Sequence, residues 1–166
     1  MTGLRWRDLP APFRGLARWV TLVQMVGYTT SLVYVWHTTH LAPAGIVTRY
    51  RGGEPTETAG PMTFAKSFSE MLTLTHTHVL AMVVIFTLSG LGLALAEWPD
   101  ERWKRILIVE PFVALLISFS AMWLMRYVDP RFSWLLAASS TVMAATFYLQ
   151  SAAILVDLHR AERRAT

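Results

Sequence analysis

Four long apolar runs, none with a Lys or Arg in its interior, constrain this 166-residue chain more than any other feature. Crossing the hydrocarbon core of a bilayer takes about 20 mostly apolar residues in a helix that rises about 1.5 Å per residue. The runs predict spans at about 19–40, 70–97, 105–127 and 132–157, with one long loop at 41–66. Helix is the form they must take, because backbone polar groups in lipid are satisfied within the segment or in a closed barrel. No ten-residue alternating pattern of the barrel kind is present. The expected fold class is all-α, an integral membrane up-down four-helix bundle in a single domain.

Composition fits that expectation. Hydrophobic residues make up 54% of the chain and charged ones only 16%, an apolar excess that a soluble chain of this size does not carry. The net charge of +4 does not predict nucleic-acid binding, since the basic residues cap the apolar runs and form no stripe. Trp19, Trp36, Trp98, Trp103, Trp123 and Trp134 fall at or near span ends, where amphipathic rings settle among headgroups.

Loop charge gives a direction. Ten basic residues (Arg5, Arg7, Arg14, Arg18, Arg102, Lys104, Arg105, Arg160, Arg163, Arg164) fall on one side. Five (Arg49, Arg51, Lys66, Arg126, Arg131) fall on the other. The positive-inside rule then predicts a multi-pass protein of a bacterial-type inner membrane with both termini cytoplasmic. Reading the first run as a signal peptide cleaved after Ala42-Pro43-Ala44 fits less well. The run exceeds a usual signal core, and the polar His37-Thr38-Thr39-His40 before the triplet is atypical. The first eighteen residues are expected to lie along the cytoplasmic headgroups. Arg51-Gly52-Gly53-Glu54-Pro55 and Gly60-Pro61 are turn signals in the long loop.

The chain has no cysteine, which excludes disulfides, thiolate metal sites, cysteine-held iron–sulfur clusters and c-type haem attachment. Any cofactor falls to His, Met, carboxylate, Tyr or backbone. Of five histidines, His159 is in the C-terminal tail. The others form two groups, His37 and His40 in HTTH and His76 and His78 in THTH. The first group ends one predicted span and the second begins the next, so topology brings both to the same, non-cytoplasmic end. At about 100° per residue His37 and His40 are about 60° apart on a helix and share a face, whereas His76 and His78 are about 200° apart. One imidazole from each helix is the arrangement that holds b-type haem without cysteine. Arg49, Arg51, Lys66 and Arg126 are placed to pair with haem propionates. Copper or zinc on the same histidines is the alternative metal reading. The plain reading is a set of interfacial histidines that bond backbone and headgroups.

In span count, and in the placement of HTTH and THTH on the first two helices, the chain resembles the small four-helix membrane b-type cytochromes that anchor or serve respiratory enzymes. The resemblance implies a membrane electron-transfer subunit that exchanges electrons with quinone or with a membrane or periplasmic redox partner. Those cytochromes commonly carry two haems. No span histidine lies toward the cytoplasmic end here, so one haem near the periplasmic face is expected. The alternative function is a non-catalytic accessory or assembly subunit of a larger membrane complex.

Glu110, followed by Pro111, is an ionisable residue within a span and a candidate proton or quinone partner. Its shallow depth near a helix N-terminus also suits a carboxylate with no such role. Glu70, shortly before His76 and His78, is either an acceptor that orients an imidazole or a solvated charge. Met122 and Met125 read as packing before ligation, and Gln24 and Gln150 as interhelical hydrogen-bonders. No phosphate loop, Ser-His-Asp arrangement or HExxH pattern is present. No catalytic residue is predicted, and the expected role is that of a subunit ahead of a stand-alone enzyme.

Overall fold

The computed structural model describes residues 4–53 and 63–164, so the turn signals Glu54-Pro55 and Gly60-Pro61 lie outside the described residues. The described chain is helical throughout. A 3-10 turn at Trp6–Asp8 precedes α1 (Ala11–Thr39), α2 (Pro43–Arg51), α3 (Phe68–Leu95), α4 (Glu101–Tyr127) and α5 (Phe132–Arg163). Three of these, α3, α4 and α5, are long and apolar enough to cross a membrane. The fourth long helix, α1, falls short on apolarity because Thr21, Gln24, Thr29, Thr30 and Ser31 interrupt its run. The stretch expected to be one long loop contains α2, a short helix that Pro43 starts and Gly52 ends at φ 84°.

Local chemistry sets the helix ends. At the start of α3 the Ser67 hydroxyl accepts from Glu70 N–H while the Glu70 carboxylate accepts from Ser67 N–H at 2.7 Å, a reciprocal cap that satisfies two orphan donors. At α4, Asp100 caps Trp103 N–H at 3.0 Å. Between α1 and α2 the chain turns through His40 and Leu41, at φ 52° and 56°. Gly45 makes that corner possible, since a Cβ there would sit 2.1 Å from the Thr39 carbonyl oxygen.

The helix order places α1, α3, α4 and α5 in alternating directions. Both termini and the α3–α4 turn lie at one end, the terminal end. The α1–α2 corner, the start of α3 and the α4–α5 turn lie at the other, the loop end. The most central helix is α5, with 50% of its most apolar stretch buried against 33% for α4 and 28% for α3. Mid-bundle, Tyr28, Phe86, Ala114, Leu115, Met143 and Phe147 form one buried cluster, with Tyr28 stacked on Phe147 at 4.4 Å. At the terminal end Trp6, Leu93, Ile154 and Leu158 form a second. There the Trp6 indole N–H donates to Gly92 O at 3.0 Å, and Ile154 closes on the same bare glycine. Among lipid chains such packing is driven by van der Waals contact and polar bonds between helices, which favours small residues where backbones approach.

Pro111 is in the interior of α4, with ten helical residues before it. Having no N–H, it leaves Leu107 O without its usual intrahelical donor. The Gln150 side chain of α5 supplies one, Nε2 donating to Leu107 O at 2.5 Å.

Candidate functional site

His37, His40, His76 and His78 all lie at the loop end, and all four side chains are exposed. They differ in what the fold does with each. His37 is in the last turn of α1, and His40 is the left-handed residue that caps that helix. His76 and His78 are in the third turn of α3. His78 Nδ1 lies 3.0 Å from Leu74 O, one turn back. A carbonyl can only accept, so Nδ1 is the donor in this contact, and in the neutral ring Nε2 is then the nitrogen with a lone pair. This is how metal-binding imidazoles are commonly held, one ring nitrogen fixed by a backbone carbonyl and the other left to coordinate. The ring also sits 6.4 Å from the Phe119 ring of α4. Leu74 and Phe119 were not singled out from the sequence. The signal that finds Leu74 is simple, since a helical His reaches the carbonyl four residues earlier.

The cations of the loop end are partly committed to structure. Arg49 donates to the Tyr34 hydroxyl at 2.5 Å and lies over its ring. Arg51 donates to Met125 O at 3.1 Å, and Arg126 Nε to Lys66 O at 2.9 Å. These bonds tie α2 and the segment before α3 onto the end of α4. A guanidinium has five donors, so each arginine keeps others for an anionic group. Glu70 is taken up by the Ser67 cap and by Lys66 Nζ at 3.2 Å, and it bonds no imidazole. Met122 and Met125 are buried in the packing of α4. Glu110 lies far from the histidines, toward the terminal end of α4, and its Oε2 is buried without a hydrogen-bond partner.

Among the described residues no three His, Cys, Asp or Glu side chains gather closely enough to hold a metal ion.

A helical chain with three membrane-crossing helices is a multi-pass membrane protein in contact with the bilayer. The model of a family of transmembrane helical domains matches residues 40–165, and the chain belongs to that family. The matched segment contains His40, His76, His78 and Glu110, while His37 and all of α1 precede it. No curated protein and no solved structure matches the chain.

Proposed function

We propose that the chain is a membrane electron-transfer subunit that holds one b-type haem at the loop end, between α1 and α3. His78 of α3 and His37 of α1 would hold it, with His40 and His76 the remaining imidazoles at that end. The observation that carries this reading is the His78–Leu74 bond, which orients an exposed ring with its Nε2 available. Arg49, Arg51 and Arg126 pair with the propionates through donors that their structural bonds leave over. When bound, haem supplies a one-electron couple. The protein's part is to fix the imidazoles and neutralise the acidic groups, exchanging electrons with quinone or with another membrane or periplasmic redox subunit.

In this account α1 is the fourth crossing of an up-down bundle. Its 29 residues reach about 43 Å at 1.5 Å each, and Tyr28 at its middle stacks on Phe147 in the middle of α5. Both termini face the cytoplasm and the loop end faces the periplasm, following the excess of Arg and Lys at the terminal end. Haem and metal content per purified chain test the site. Protohaem at about one per chain, reduced by His78→Ala and His37→Ala but kept by His159→Ala, is the expected result. Copper or zinc at that ratio without haem overturns it.

A second reading, an accessory subunit packed on partner helices, draws on one observation. Val33, Tyr34, Val35, Trp36 and His37 are exposed in succession, so α1 shows every face near the loop end. Under that reading the histidine variants leave the activity of the host complex unchanged.

A further inference from the structure

Along α4 and α5 runs a groove of about 660 Å³ that the haem reading leaves unused. Arg105, Val109, Glu110, Val113 and Ile117 line it from α4, and Val142 lines it from α5. From Arg105 to Ile117 it extends about 18 Å at 1.5 Å per residue. Val109, Val113, Ile117 and Val142 are exposed along it, which makes it aliphatic and open to lipid. Arg105, Glu110 and Ser139 are the polar residues of that lining, and Glu110 Oε2 is buried without a hydrogen-bond partner. Arg105 is about 7.5 Å nearer the terminal end, five residues at 1.5 Å, at the level of headgroups.

The shape of this groove selects an occupant. Its length and aliphatic walls suit a flexible hydrocarbon or prenyl tail. Glu110 Oε2 has no hydrogen-bond partner, and a head that offers an O–H supplies one. The head must also be uncharged, because Glu110 lies about one and a half turns deeper than Arg105, where a charge is costly. A phospholipid would place its phosphate at the depth of Arg105 and leave Glu110 Oε2 without a donor. We infer that the groove binds a tailed hydroquinone, whose hydroxyl donates to the Glu110 carboxyl group while its tail lies over Val113, Ile117 and Val142. The choice of a hydroquinone over other hydroxyl-headed lipids rests on the electron-transfer reading.

The test is calorimetric titration of the detergent-purified full chain with decyl-tailed benzohydroquinone under anaerobic conditions. The inference expects saturable binding, weakened about tenfold by Glu110→Leu, as for loss of a hydrogen bond. Val113→Trp, which fills the groove from its exposed side, should weaken binding as much. Both variants should keep the helix content of the unsubstituted chain. Leu88→Trp, on the exposed face of α3, should bind normally. Equal binding by Glu110→Leu and Val113→Trp overturns the inference, as does equal competition by dodecanol or phosphatidylglycerol. Haem content of the same samples separates the two readings. Haem-loaded chain that binds no hydroquinone overturns the groove alone, and haem-free chain that binds it overturns the electron-transfer reading alone.

Discussion

Gln150 of α5 donates its side-chain N–H to the backbone carbonyl of Leu107 in α4 at 2.5 Å, taking the place of the N–H that Pro111 lacks. One residue interrupts a helix, and another, on a neighbouring helix, repairs the interruption. In hydrocarbon the repair matters because water cannot make it.

A double-mutant cycle tests that relationship. Gln150→Leu should cost about 1 kcal/mol of stability in detergent, the size of a typical hydrogen bond. Pro111→Ala restores an N–H within reach of Leu107 O, so Gln150→Leu should cost much less in that background. Equal costs in both backgrounds would show that the Gln150 bond does not compensate for Pro111.

The α1–α2 corner should tolerate no side chain at Gly45. A Cβ there meets the Thr39 carbonyl oxygen, which is backbone and cannot rotate away. Gly45→Ala should therefore lower thermal stability by about 1–3 kcal/mol, the range for overpacking. Gly27, whose added Cβ would meet nothing within 4 Å, should accept Ala with a change within about 0.5 kcal/mol.

Trp6 should hold the N-terminal turn to the bundle. Trp6→Phe keeps a ring against Leu93 and Ile154 but removes the donor to Gly92 O, and should cost about 1 kcal/mol. Trp6→Ala also empties the space and should cost about 3 kcal/mol or more. The unfolding midpoint of each variant distinguishes the two terms.

The long helices were legible because membrane spans announce themselves through composition alone. Apolar runs at 70–97, 105–127 and 132–157, with Lys and Arg at most near their ends, fall on α3, α4 and α5. The ends were less legible. Glu101 to Arg105, and Asp157 to Arg163, continue their helices as charged turns beyond the apolar runs. Lys104, for example, is buried with Nζ on Ala96 O. The helix α2 escaped notice because nine residues carrying two arginines give neither a long apolar run nor a clear period. For the candidate site, topology alone was enough to bring the four histidines to one end. The Leu74 carbonyl behind His78 and the Pro111–Leu107–Gln150 arrangement depend on facing side chains that spacing does not specify.

Orientation has a direct assay, because the chain has no cysteine to remove. Single cysteines at Leu4, Ser69 and Asp100 can be probed in intact cells with a membrane-impermeant maleimide. Ser69→Cys at the loop end should label at once, and Leu4→Cys and Asp100→Cys only after lysis. Labelling of Leu4→Cys together with Ser69→Cys would mean that α1 does not cross the membrane.

The proposed haem is tested most directly by the reduced-minus-oxidised optical spectrum of chain purified from haem-sufficient cells, beside that of His78→Ala. The account predicts a Soret band that shifts on adding dithionite, with sharp α and β bands in the reduced protein, lost or broadened in His78→Ala. Chain with no Soret absorbance, or a difference spectrum identical in His78→Ala, would contradict it.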